Sequence, residues 1–253
     1  MRICPSTVPL RVRAGAGGPC TRLPVIYVLD GNTLFPLVAQ MVNLNTSFSS
    51  VLPGVLVVAI GYPADPALSR ADNIKAQLAL RTRDLSPSTT LAKTVPPGSG
   101  GAADFLAFIT DDLKPFIGAR YAVDQTDPTL IGHSLGGLFT AYAFLNAPDA
   151  FARYIAASPS LFWDEHALVK QAGSPAVRAQ RNPRRLFVSV GGLETTERMS
   201  QDMIGDARNF VSALQRQDIP GLNVSFQIFP DENHMSVIPT ALMRGLREVQ
   251  ALR

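Results

Sequence analysis

Six short runs of apolar, mostly β-branched residues recur along this 253-residue chain, and they constrain its fold more than any other feature. They are Pro24–Leu29 (PVIYVL), Val55–Ile60 (VLVVAI), Pro128–Ile131, Tyr154–Ala157, Leu186–Val190 (LFVSV) and Val224–Phe229 (VSFQIF). Near-continuous runs of this kind offer no polar face, so they read as strands buried on both sides. Helical spacing appears between or after them, at Thr33–Met41, Ala103–Tyr121, Gly137–Leu145, Met199–Arg216 and Pro239–Leu252. Strands alternating with helices predict an α/β fold with a mostly parallel central sheet and helices on both faces. No interior linker interrupts the pattern, so residues 24–253 read as one domain preceded by an irregular basic leader, residues 1–23.

Composition narrows the function. Only 17% of residues are charged and 46% are hydrophobic, which excludes a solvating or disordered chain. The formal charge of +3 arises in the leader, where Arg2, Arg11, Arg13 and Arg22 have no acidic neighbour; the remaining 230 residues hold 19 basic and 20 acidic groups. No cluster of Lys and Arg interleaved with aromatics occurs, so no nucleic-acid partner is expected. Cys4 and Cys20 form either one small disulfide loop or two free thiols. No apolar window reaches the length of a membrane span, so no membrane partner is expected. The apolar run of a secretory signal is broken by Cys4, Pro5, Ser6, Thr7 and Pro9, which points to a cytoplasmic protein, or to a periplasmic one whose signal has been removed. Ala14–Pro19 lacks a preceding strand and Pro97–Gly101 lacks the Lys-Ser/Thr pair of a phosphate loop. Three scattered histidines and no Cys cluster argue against zinc, and no cofactor is expected.

The chemistry concentrates in Gly132-His133-Ser134-Leu135-Gly136, which fits the nucleophile-elbow pattern G-x-S-x-G. A bare pattern of this kind arises by accident in about one chain in ten of this length. Here it follows a buried run and precedes a helical segment, the strand-turn-helix context the motif requires. A serine nucleophile needs a base, and the base an orienting carboxylate. Of His133, His166 and His234, only His234 lies in a loop between the last strand and the last helix, so it is the base candidate, the alternative being a helix-capping or surface histidine. The order Ser, acid, His selects Glu194, four residues past the fifth strand, with Glu197 and Asp202 behind it; acids near a helix start also have an ordinary dipole role. One oxyanion donor is the N–H of Leu135. Asp30-Gly31-Asn32-Thr33 holds either the second donor or simply a tight turn. The polar segment Arg81–Gly101 has neither period and is a candidate rim of the site.

Five blocks in order (Tyr27–Asn32, Arg81–Pro87, Gly132–Gly137, Ser158–Trp163 and Glu232–His234) resemble the serine esterases of the α/β-hydrolase superfamily. That group includes the tricatecholate siderophore (enterobactin-type) esterases, with S-formylglutathione hydrolases and mycolyltransferases as relatives. The resemblance spans residues 24 to 250. It implies the α/β-hydrolase fold, Ser134 as nucleophile, His234 as base, and the N–H groups of Asn32 and Leu135 as oxyanion donors. Glu194 matches the acid position, although some siderophore esterases resemble a Ser–His dyad. Arg83 or Arg81 is implied to face anionic or catecholate oxygens, or else to form an internal Arg–Asp pair. Trp163 either lines the pocket with Gly31 or packs beneath it. Relatives carry two antiparallel strands before the Tyr-Val-Leu-Asp strand, so the amino-terminal strands are expected to be shortened or missing. The expected function is hydrolysis of a small carboxylic ester, such as a siderophore trilactone, through an acyl-enzyme. An acyltransferase on the same machinery and a non-catalytic binding module of the same fold are the alternatives.

Overall fold

The structure, a computed structural model, describes residues 22–47, 52–87, 97–178 and 184–250. Six strands, β1 (Leu23–Val28), β2 (Leu56–Ala59), β3 (Val123–His133), β4 (Arg153–Ala157), β5 (Arg184–Gly191) and β6 (Leu222–Phe229), form one sheet in the order β2-β1-β3-β4-β5-β6. Every neighbouring pair is parallel. Any strand from residues 1–21 lies outside the described residues, as do Cys4, Cys20 and most of the basic leader. The structure thus describes the chain from Arg22, and β1 begins at Leu23, inside the stretch read as leader.

The continuous apolar runs follow from burial on both faces. In β1, Val25 and Tyr27, with Leu29 just after it, enter one core while Ile26 and Val28 enter the other. The first core is closed by α3 (Ala102–Ala107), α4 (Lys114–Arg120), α5 (Leu135–Asn146), α6 (Trp163–Ala172) and α9 (Met203–Gln215); the second is closed by α1 (Gly31–Ser47) and α10 (Val237–Gln250). No helix among the described residues is long and apolar enough to cross a membrane.

The differences from the sequence reading have local causes. β3 starts five residues earlier than the apolar run, because Val123 and Asp124 pair with β1 before the register jumps to Thr129. Pro24 and Pro128, which cannot donate to a ladder, sit at that irregularity. The helix read over Ala103–Tyr121 is α3 and α4 joined by a π turn (Phe108–Leu113), with Lys114 N–H reaching back to Ile109 O, beside Pro115. Arg81–Leu85 is not part of an irregular rim: it is the end of α2 (Arg70–Leu85). That helix buries only Asp84 and Leu85 and leaves Ile74 and Leu78 exposed, so it carries no apolar stripe to read. Its start is fixed by Ser69 Oγ, which accepts from Asp72 N–H at 3.1 Å. Two short helices, α7 (Pro175–Arg178) and α8 (Thr196–Met199), were likewise below the length a period can show.

Sheet order decides where a site can lie. β1 connects through α1 to β2 on one side, whereas β3 lies on the other and leads away to β4. The order in which strands are added therefore reverses at β1 while every strand keeps the same direction, and open parallel sheets bind ligands beyond the carboxyl ends of the strands at such a switch point. Asp30–Asn32 follow β1 and Ser134 follows β3, so both lie at that switch point.

Candidate active site

Ser134 stands between β3 and α5 with φ 60° and ψ −119°, a conformation that L-residues adopt only when their surroundings force it. The forcing is visible in the backbone. Ser134 N–H donates to Ala157 O at 3.0 Å, and Ser134 O accepts from Leu138 N–H at 2.9 Å and Ser160 N–H at 3.2 Å. Gly132 is required for steric reasons, since a Cβ there would overlap the Gly136 carbonyl and lie 2.7 Å from Thr140 Oγ1. Gly132→Ala is expected to cost about 2–3 kcal/mol, read as a Tm fall of roughly 5–10 °C in thermal melts. An unchanged Tm would mean that the elbow yields more easily than this packing implies.

The base candidate and the acid candidate meet. His234 Nδ1 lies 2.7 Å from Glu194 Oε2. Glu194 is fully buried, yet its other oxygen accepts from Ser158 Oγ at 2.6 Å and from Gly191 N–H at 2.7 Å. Burial pushes this carboxyl up, but the bonds from His234, Ser158 and Gly191 outweigh it and hold the group below the ordinary carboxylate value. The carboxylate only accepts, so the His234 Nδ1 that faces it is the donor of this bond. Glu197 and Asp202 play no part in this pair. Asp202 caps α9 by accepting from Gly205 N–H at 2.9 Å, the ordinary role of such an acid.

Ser134 itself makes no hydrogen bond to the His234 ring among the described residues, and such contacts are often long without substrate. The ring is nevertheless carried beside the elbow, because the His133 and His234 rings lie 4.6 Å apart. His166, the third histidine, is remote in role: its Nδ1 pairs with Asp206 Oδ1 at 2.9 Å.

The turn after β1 is tied to the elbow. Asp30, with φ 53°, receives both Arg81 Nε at 2.6 Å and Arg81 Nη2 at 3.0 Å, and Arg81 Nη2 also donates to His133 O at 3.2 Å. Arg81 is thus turned inward and committed to the scaffold, in place of the substrate-facing position open to it in sequence. Its neighbour Arg83 pairs with Asp84 at 2.6 Å but keeps a side chain 51% exposed. Asn32 is locked by a reciprocal amide pair, donating from Nδ2 to Tyr62 O at 2.8 Å and accepting at Oδ1 from Tyr62 N–H at 2.6 Å. Gly31 donates to Ile60 O at 2.8 Å, and a Cβ there would lie 3.0 Å from Ala59 Cβ. Burial, then Asp84 and Asp30, push the Tyr62 phenol well above its ordinary value, so Tyr62 remains a neutral wall. Leu135 and Asn32 occupy the first turns of α5 and α1, where backbone N–H groups have no intrahelical acceptor. Both helices therefore offer N–H groups and positive dipole ends near the reversal. Trp163 packs into the core beneath, 9% exposed, with its indole N–H buried and unbonded among the described residues.

Sequence reasoning did not single out Ser158 or Tyr62 as supports, nor Asp30 as the anchor of Arg81. Ser158 had one available signal, its position immediately after β4 at the head of a Ser-Pro-Ser block.

The Esterase family profile, described as "Putative esterase", matches residues 15–234. The chain belongs to the Esterase family. It is a carboxylic ester hydrolase of α/β-hydrolase fold. It is 32% identical over 239 residues to the ferri-bacillibactin esterase BesA of Bacillus subtilis (strain 168), covering 90% of this chain and 79% of that one. It is 31% identical over 245 residues to the siderophore triacetylfusarinine C esterase of Aspergillus fumigatus, covering 88% and 80%. The crystal structure of the BES protein from Bacillus cereus superposes with a TM-score of 0.79 at 30% identity, covering 93% of this esterase and 86% of that chain.

Proposed function

We propose that this esterase is a serine hydrolase that cleaves its ester through an acyl-enzyme, with a siderophore that carries several ester bonds as the substrate class. One observation carries the reading: the buried Glu194 and His234 are hydrogen-bonded at 2.7 Å, and the His234 ring lies against the residue that precedes the elbow serine. The substrate class is supported by the relatives, which are named for ferri-bacillibactin and triacetylfusarinine C. It is supported also by Arg83, whose half-exposed guanidinium suits anionic oxygens.

Ser134 Oγ attacks the ester carbonyl carbon while His234 Nε2 takes its proton. The N–H groups of Leu135 and Asn32 receive the oxyanion of the tetrahedral intermediate. Collapse breaks the bond to the alcohol, and His234 returns the proton to the leaving oxygen. Water then attacks the acyl-serine with His234 again as base, releasing the acid and restoring Ser134 Oγ–H. No other group is needed for atom and proton balance.

A fluorophosphonate probe is expected to add once per chain, on the peptide containing Ser134. Hydrolysis of short p-nitrophenyl esters and of a catecholate trilactone is expected to release free acid, with the trilactone preferred in kcat/KM. Absence of both labelling and hydrolysis in folded protein would overturn the serine mechanism. Labelling together with a clear preference for the p-nitrophenyl esters would overturn the substrate class alone.

A further inference from the structure

We propose that His133, the residue before the elbow serine, is a positioning residue that holds the base loop through the backbone of His234. This rests on the serine-hydrolase reading above and adds a component to it. His133 ends β3 and is buried, 6% exposed. Its Nε2 lies 2.8 Å from His234 O. A carbonyl oxygen only accepts, so Nε2 carries the hydrogen and donates it. Burial, with the neighbouring His234 second, lowers the His133 imidazole to about 4, so at neutral pH the ring has one proton and that proton is committed to this bond.

Three connections meet at His133. Its backbone pairs in register with Ala157 of β4. Its carbonyl accepts from Arg81 Nη2 at 3.2 Å, and Arg81 grips Asp30 at the head of the oxyanion turn. Its ring reaches the base loop. On the opposite side that loop is held by Leu193 N–H to Glu232 O at 3.0 Å and by Glu194 on His234 Nδ1. Within itself it is closed by Asn233 Oδ1, which accepts from Met235 N–H at 2.9 Å and Ser236 N–H at 3.0 Å. The bond from His133 Nε2 is therefore what fastens the base to the nucleophile's own strand. Glu194 sets which nitrogen of His234 is protonated, and His133 sets how far the free nitrogen stands from the elbow.

Losing that bond would let the loop drift by a fraction of an ångström to an ångström, which costs rate without costing substrate affinity. Glutamine keeps an N–H donor at nearly the reach of Nε2, whereas methionine has similar length and no donor. His133→Met is expected to lower kcat for p-nitrophenyl butyrate about tenfold to a hundredfold with KM within about twofold, and His133→Gln to recover most of the loss. Wild-type kcat in His133→Met would overturn the clamp, as would a His133→Gln enzyme that falls as far as His133→Met while melting like it. If His133→Met does not fold, His133→Phe, which keeps a planar ring without a donor, takes its place in the same comparison. Ser134→Ala in the same assay separates the two levels. An active Ser134→Ala removes the underlying mechanism, whereas an inactive Ser134→Ala beside a fully active His133→Met removes only the clamp.

Discussion

Ser134→Ala is expected to reduce kcat for ester hydrolysis by about 10⁴-fold or more while leaving Tm within a few degrees of wild type. On the proposed mechanism the rate loss follows from removing the atom that forms the acyl bond; what remains is the acceleration that the proposed oxyanion donors and binding alone can give to water. The small stability effect follows from what the hydroxyl does not do. Ser134 provides no side-chain cap to α5, and its backbone bonds to Ala157, Leu138 and Ser160 do not involve Oγ. Alanine keeps the same Cβ at φ 60°, so the strain of the elbow is unchanged. The measurement is steady-state kinetics on freshly purified variant with thermal melts alongside. Activity above about 1% of wild type that is not inhibited by a fluorophosphonate would show that another group is the nucleophile.

Those expectations depend on positions that differ in how far sequence reveals them. The inner strands were legible because they are buried on both faces: in β1, Val25 and Tyr27 go to one core and Ile26 and Val28 to the other. The elbow was legible because its glycines answer to backbone contacts only a few ångströms away, as at Gly132 against Gly136 and Thr140. The placement of His234 and Glu194 was legible from chain order, since each follows the carboxyl end of a strand in a parallel sheet. α2 was not, because a helix that packs with its last turn alone has no stripe. The partner of Arg81 was not legible either. Asp30 lies 51 residues away, whereas Asp84, in the same block as Arg81, takes Arg83. Long-range polar pairing depends on which loops the sheet order brings together, and no periodicity encodes that. The same holds for Ser158, which has φ 41° and reaches Glu194 across 36 residues. Such supports lie at the strand ends, where Asp30, Ser134 and Ser158 all take positive φ. Strain of this kind is kept where neighbouring bonds over-determine the backbone, and here it lies at the carboxyl ends of β1, β3 and β4.

Glu194→Gln is the substitution that decides whether this site needs its acid, and kcat is expected to fall about 10³–10⁴-fold. The argument is one of proton placement. Glu194 Oε1 accepts from Gly191 N–H and Ser158 Oγ–H, and a backbone N–H can only donate, so glutamine must leave its oxygen there. Its NH₂ then occupies the Oε2 position, 2.7 Å from His234 Nδ1. An N–H facing Nδ1 makes that nitrogen the acceptor and moves the imidazole proton to Nε2, where a base cannot carry it. Volume and packing are almost unchanged, so a loss of rate with preserved KM reports the tautomer and not a cavity. Stability against pH provides a second readout. The folded carboxyl lies below its ordinary value, so its contribution is complete above about 4.5 and is lost as the pH falls through the lower folded value. Urea midpoints of the wild type are therefore expected to drop more steeply than those of Glu194→Gln as the pH is taken from about 5 towards 3. If kcat of the variant stays within about tenfold of wild type while that difference in midpoints appears, Glu194 is a structural carboxylate. Ser134 and His234 then work as a dyad, with the orientation of the imidazole left to the backbone that His133 holds.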